Sequence, residues 1–269
     1  MIDIHCHILP GLDDGPESLK EALEMCRRAA TDGVKTIVAT PHFMPGTYEC
    51  ADSYILDAAA ALKEAIKKEG LGIGIVTGAE VAVSPEMQTC VKPGGYLTIN
   101  NSRYFLAEFH PLSVPSRWEA FLLSFLGAGM RPIIAHPERN VWFVNHREAL
   151  SAAVQKGLMV QITAASITGA FGAEAKSFSA YLLRHNLVHA IATDGHSADL
   201  RPALLAEAAD IVGDLIGPEK AAALTSSIPR AIIENRPLPE WESAADFTPV
   251  QEQDRHWFLK LFRTNFARI

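Results

Sequence analysis

A chain of 269 residues, 48% hydrophobic and 20% charged, carries enough apolar material for the core of one large domain or two small ones. Its net charge of −7 leaves no basic footprint for nucleic acid. No uninterrupted apolar stretch reaches the roughly 20 residues of a membrane span. Cys6, Cys26, Cys50 and Cys90 form no CxxC pair, which fits reduced thiols in a cytoplasmic protein. The start, with Asp3, His5 and His7, lacks the basic-then-apolar pattern of a secretory signal.

The first apolar run is IDIHCHIL. Strand residues two apart point to one face, so His5 and His7 aim together while Cys6 faces away. LKEALEMCRRAATDG follows, with Leu19, Leu23, Cys26 and Ala30 on one helical stripe. Ser18 and Glu21 have capping-box spacing, and Gly33 ends the segment. Six more runs follow: TIVATPHF, GIVTGAEV, YFLAEFHP, RPIIAHPE, LMVQITAAS and VHAIATDGH. Helical patterns such as DAAAALKEAIKKEG, WEAFLLSFLGAG, REALSAAVQKG and AYLLRHN alternate with them. Near-continuous apolar strands between helices predict a parallel α/β sheet, either closed as a barrel or open and doubly wound. After Gly213 the pattern turns helical through EKAAALTSSIPRAIIEN. A proline-bounded stretch then leads to an amphipathic tail with Trp257, Phe258, Leu261, Phe262 and Phe266 beside Lys260, Arg263 and Arg268.

Polar residues fall at the ends of these runs. His5 and His7 lie in the first, and Asp14 follows it. His42, Glu80, Glu108 and His136 end the second to fifth; Asp194 and His196 end the seventh. Only the sixth ends without one. In parallel α/β folds the C-terminal strand ends share one mouth, so these nine side chains should meet there. Individually, each has a bland reading: a satisfied core histidine, a turn aspartate at 14, or Glu108 paired with an arginine. Jointly they point to metal, because burying nine ionisable groups without cations is very costly. Nitrogen and carboxylate donors without thiolate suit zinc, manganese, iron or nickel, and at roughly four ligands per ion they serve two or three ions.

HCH, Asp14, TPHF, GAE, AEF, AHPER and TDGH resemble the PHP (polymerase and histidinol phosphatase) superfamily. Within it, MIDIHCHILPGLDDG, ATPHF and IIAHPER are similar to CpsB/YwqE-type bacterial tyrosine phosphatases. The resemblance covers Met1 to about Pro237 and leaves 238–269 as a helical tail, packed on the barrel or docked to a partner. It implies a distorted (β/α)7 TIM-like barrel with a trinuclear site, manganese first, with iron and zinc as alternatives. It also implies a phosphotyrosine-bearing bacterial tyrosine autokinase as substrate, control of capsular or extracellular polysaccharide export, and a place in the cytoplasm, brought to the inner membrane face by the partner. By family match, one ion takes His5, His7, Glu80 and Asp194. A second takes Glu80, Glu108 and His136, with Glu80 bridging; a third takes Asp14, His42 and His196. Three positions depart from the pattern without touching these ligands: Phe43, Ala82 and His110.

Arg139 and Arg201 are candidate phosphate clamps, since guanidinium forks match phosphate oxygens. Ion pairs with Glu138 and Asp199 are the competing reading. His42 or His196 is a candidate proton donor to the leaving oxygen. Tyr48 either lines the mouth or packs. Cys6 faces away and no CxxxxxR loop follows it, which disfavours a cysteine nucleophile. Two other readings stand beside the phosphatase: a phosphomonoesterase of the histidinol-phosphatase type, and a non-catalytic protein that docks a kinase. A homo-oligomer is compatible with each.

Overall fold

A computed structural model of the chain describes residues 1–239. The aromatic tail containing Trp257 to Phe266 lies outside the described residues. The seven apolar runs become nine strands: β1 (Ile2–Cys6), β2 (Thr36–Ala39), β3 (His42–Phe43), β4 (Gly74–Thr77), β5 (Glu80–Ala82), β6 (Tyr104–Glu108), β7 (Arg131–Ala135), β8 (Met159–Thr163) and β9 (Ala190–Ala192). All pair in parallel, in the orders β1-β2-β4 and β3-β5-β6-β7-β8-β9.

The two extra strands arise because the second and third runs each break once. Pro41 has no N–H to give and interrupts the second. Gly78 interrupts the third, where an added Cβ would lie 3.3 Å from both Ile99 Cα and Val38 Cγ1. Backbone bonds carry the ladder across the breaks: Thr40 N donates to Cys6 O at 2.9 Å, Gly78 N to Ala39 O at 2.9 Å and Glu80 N to Pro41 O at 3.1 Å. The ring then closes. His7 N donates to Gly195 O, and Asp194 N to His5 O, both at 2.8 Å, joining β1 to the segment after β9. The result is a distorted seven-stave barrel. β1 and β8 are buried at every residue, since both faces are covered.

The first helix, Leu19–Thr31, starts at Ser18, whose Oγ accepts from Glu21 N at 3.3 Å. The reciprocal half of the box falls one residue early: Glu21 Oε2 accepts from Glu17 N, not from Ser18 N. The buried stripe also differs from the expected one. Ala22, Met25, Cys26 and Ala29 face the sheet, while Leu19 is 38% exposed and Leu23 and Ala30 are half-buried. Small Ala22 and Ala29 let the helix approach the strands closely.

The C-terminal helical pattern is one run, Pro218–Ala222 and Ile228–Ile233, with a wide π turn at Ala223–Ser227 between them. Pro229 explains the turn: its ring would clash with a carbonyl one α-turn back, and widening relieves that clash. The segment that follows seals the barrel's N-terminal end, where Tyr104 Oη donates to Arg236 O at 2.8 Å. Among the described residues no helix is long and apolar enough to cross a membrane.

Candidate functional site

The nine side chains expected at the strand ends meet in one mouth. On β1 and just after it, His5 and His7 turn to the same side, their Nε2 atoms 3.2 Å apart. Parallel pairing sets His42 of β3 beside Glu80 of β5, and Ala82 beside Glu108 of β6. Glu80 is central. Its Oε1 lies 3.3 Å from His5 Nε2 and 2.7 Å from His136 Nε2; its Oε2 lies 3.2 Å from His7 Nε2 and 3.1 Å from His42 Nδ1. Asp194 Oδ1 faces His5, His7 and His196 at 3.5, 3.4 and 3.6 Å. Asp14 Oδ1 faces His42 and His196 at 3.5 and 3.3 Å. His136 and Asp194 sit at φ +31° and +50°. Left-handed backbone is uncommon outside glycine, though Asp and His tolerate it better than most, and here it carries both side chains of the cluster.

Could cations fit? Ligand atoms fall into three groups, each within 4.8 Å: His5, Glu80, His136 and Asp194; His7, Asp14, His42 and His196; His42, Glu80 and Glu108. His42 Nδ1, Glu80 Oε2 and Glu108 Oε2 are all buried and make no well-formed hydrogen bond, although His42 Nδ1 lies 3.1 Å from Glu80 Oε2 and 3.4 Å from Glu108 Oε2; they belong together in the third group. A buried orphan donor or acceptor is costly; three converging ones fit a cation. In these groups His7 falls with Asp14, His42 and His196, although its Nε2 also lies within 3.2–3.4 Å of His5, Glu80 and Asp194, and His136 falls with His5 and Asp194. The partition implied by the family pattern put His7 with His5, and His136 with Glu108.

Electrostatics favour positive charge here. Burial pushes the His5 imidazole down, but Glu80 and Asp194 outweigh it and raise it to about 9. Burial opposes charge on His7 too, yet Asp13 and Glu80 hold it well above its usual value. Burial raises Glu80 and Asp194, but the facing imidazoles (His5 and His136 foremost) keep both well below the carboxylate range. Those imidazoles stand where a divalent ion would satisfy the same carboxylates.

Three supporting residues were not among the sequence candidates. Asp13, like its neighbour Asp14, borders the cluster: its Oδ2 lies 2.6 Å from His7 Nδ1 and accepts from His42 N at 2.9 Å, and its Oδ1 accepts from Gly15 N at 2.9 Å. Gln161 of β8 places Oε1 2.8 Å from His5 Nδ1. Each contact assigns the Nδ1–H tautomer and leaves Nε2 to the cluster. Asp3 accepts from Thr193 N at 3.0 Å and from His5 N at 3.2 Å, tying β1 to the loop that carries Asp194. The available signal was polarity inside apolar strands, at Asp3 and Gln161.

Arg139 and Arg201 both reach the mouth. Arg139 Nη1 donates to Asp194 Oδ2, and Arg201 Nη2 donates to the same oxygen at 2.6 Å. This replaces the surface pairs weighed for them. Glu138 is buried, accepting from Thr163 N at 2.9 Å and Ser166 Oγ at 2.8 Å, while Asp199 pairs with Arg28 at 2.8 Å. Glu108 faces His42 at 3.4 Å rather than an arginine. Tyr48 stacks on His42, ring centroids 5.5 Å apart. Of the departures, Phe43 continues β3 and Ala82 ends β5, while His110 Nδ1 accepts from Leu112 N at 3.3 Å. Burial pushes the Cys6 thiol far up, against a nucleophilic role.

Comparison with known proteins gives the family and the fold. A family model described as capsular polysaccharide synthesis, CpsB/CapC, matches residues 1–234. Tyrosine-protein phosphatase YwqE of Bacillus subtilis is 35% identical over 227 residues, covering 84% of this chain and 89% of that protein. Tyrosine-protein phosphatase CpsB of Streptococcus pneumoniae is 32% identical over 238 residues, covering 87% and 98%. A chain from crystal structures of YwqE and CpsB, described there as unique metal-dependent tyrosine phosphatases, superposes with TM-score 0.85 at 33% identity, covering 92% of this chain and all of that one. A histidinol phosphate phosphatase from Lactococcus lactis shares the fold at TM-score 0.53 and 16% identity. The barrel and the two curated relatives agree over most of the chain, and the chain belongs to the CpsB/CapC family.

Proposed function

We propose that this chain is a metal-dependent phosphatase that hydrolyses phosphotyrosine on a bacterial tyrosine kinase and so regulates capsular or extracellular polysaccharide synthesis. The carrying observation is the mouth itself: nine nitrogen and carboxylate side chains, three of their buried atoms in no well-formed hydrogen bond, beside two arginines on one carboxylate oxygen. His5, His7, Asp14, His42, Glu80, Glu108, His136, Asp194 and His196 hold two or three divalent ions, manganese by family resemblance and iron or zinc by donor chemistry. Bound ions supply Lewis acidity, activate water near neutral pH and neutralise charge on a transferring phosphoryl group.

The chain's own residues do the rest. Gln161 and Asp13 hold His5 and His7 in one tautomer and orientation. Arg139 and Arg201, each about a third exposed, offer guanidinium N–H groups to phosphate oxygens. His196, whose Nδ1 lies 2.9 Å from Asp194 O, and His42 are the candidate proton donors to the leaving oxygen. A membrane-bound kinase would bring the chain to the inner membrane face.

The test is phosphate release from a phosphotyrosyl peptide by metal-stripped protein, with and without added Mn²⁺, beside His136→Ala. Release that needs Mn²⁺ and disappears in the variant supports the reading. No release under any metal, with histidinol phosphate hydrolysed instead, replaces the substrate with a small phosphomonoester. Metal binding without turnover of either leaves a docking protein.

A further inference from the structure

The sixth run is the one that ends without a metal-type side chain, and the loop after it carries an aromatic ring with no role assigned so far. β8 leads into Ala164–Thr168, then into a tight loop with Gly169 and Gly172 at φ +99° and +93°. Phe171 sits between these glycines, half-buried, its N–H donating to Ala165 O at 3.3 Å. Its ring lies under both arginines of the mouth. The Arg139 guanidinium carbon is 4.5 Å from the ring centroid and that of Arg201 is 5.7 Å away.

The arrangement has a physical difficulty that the ring answers. Two guanidinium cations converge on one oxygen, Asp194 Oδ2, while the other oxygen of that carboxylate faces the imidazoles. Like charges so close repel, and both are long flexible side chains. An aromatic face attracts each cation and restricts its rotamers. The pair also keeps unspent capacity: Arg201 Nε is buried and has no hydrogen-bond partner.

We propose that Phe171 is a positioning residue that sets Arg139 and Arg201 as one phosphate-gripping fork. The proposal rests on the phosphatase reading only in taking phosphate as what the fork grips. Run six then supplies the mouth with orientation where the other runs supply ligands.

The test compares the full chain with Phe171→Leu, which keeps apolar bulk and removes the ring, and Phe171→Tyr, which keeps the ring. Binding of inorganic phosphate to the Mn²⁺-loaded protein is measured by calorimetry, alongside Mn²⁺ affinity, KM and kcat on a phosphotyrosyl peptide. Two partly buried cation–ring contacts predict about tenfold weaker phosphate binding and about tenfold higher KM for Phe171→Leu. Mn²⁺ affinity should be unchanged, kcat should move less than threefold, and Phe171→Tyr should stay near the parent. Unchanged phosphate binding in Phe171→Leu, equal losses in both variants, or a loss of Mn²⁺ affinity in Phe171→Leu would overturn the proposal. If phosphate binding splits the variants as expected but the parent turns over no phosphotyrosyl peptide, the fork stands and the substrate reading falls.

Discussion

Asp13→Asn is the sharpest probe of how this mouth is held. The substitution is nearly isosteric, yet asparagine cannot repeat what the carboxylate does. Asp13 accepts from three N–H groups: His7 Nδ1 at 2.6 Å, His42 N at 2.9 Å and Gly15 N at 2.9 Å, the first two on Oδ2 and the third on Oδ1. An amide offers one accepting oxygen. Placed toward His7 and His42, it turns its NH₂ against Gly15 N–H. Flipped, it turns NH₂ against His42 N–H and favours the other His7 tautomer, which brings a proton toward the cluster. Burial raises Asp13, but the His7 contact outweighs it and keeps the carboxyl below its usual range, so a charge is lost as well. Losing such an orienting partner typically costs 10- to 100-fold in metal affinity or activity, about 1.4–2.8 kcal/mol. Mn²⁺ titration by calorimetry on the metal-stripped parent and variant reads this directly, with circular dichroism as the check on folding. A folded variant with the parent's Mn²⁺ affinity would refute the reasoning, because the His7 contact would then be packing rather than orientation.

Two further outcomes test parts away from that contact. His189, just before β9 and away from the mouth, is buried; its Nδ1 accepts from Val160 N at 3.2 Å, and burial pushes it down to about 4. The unfolded chain therefore binds this proton first, and stability falls as pH drops from about 6.5 toward 4, by at most about 3 kcal/mol. Urea midpoints across that range should fall more steeply for the parent than for His189→Gln, and parallel curves would count against the assignment. Metal addition should stabilise the fold, by about 2.7 kcal/mol per site at a hundredfold excess over Kd. A melting temperature unmoved by Mn²⁺ in the stripped protein, with the Glu80→Ala variant behaving alike, would remove the mouth as the binding place.

Much of the site could be read along the chain. HxH two apart on an apolar run put two imidazoles on one face because strand side chains alternate. Strand polarity then sorted most of the histidines: His42, His136 and His196 at C-terminal ends share the mouth, whereas His189, at the beginning of the run VHAIATDGH, lies apart from it; His110, also at a C-terminal end, is exposed and outside the cluster. Adjacent identical residues defeated the same logic. Nothing local tells Asp13 from Asp14, and one orients an imidazole while the other faces the cluster. Gln161 stood out only as a polar residue inside an apolar strand, and Phe171 not at all, because their partners, His5 and the two arginines, lie far away in sequence. Seven apolar runs, their alternation with helices and the residue types at their ends were legible along the chain, since these follow from local periodicity and chain direction. Where the second and third runs break, which carboxylate faces which imidazole, and that both arginines share Asp194 emerge only on folding, because ring closure and contact between distant strand ends are set by the packing of the whole barrel.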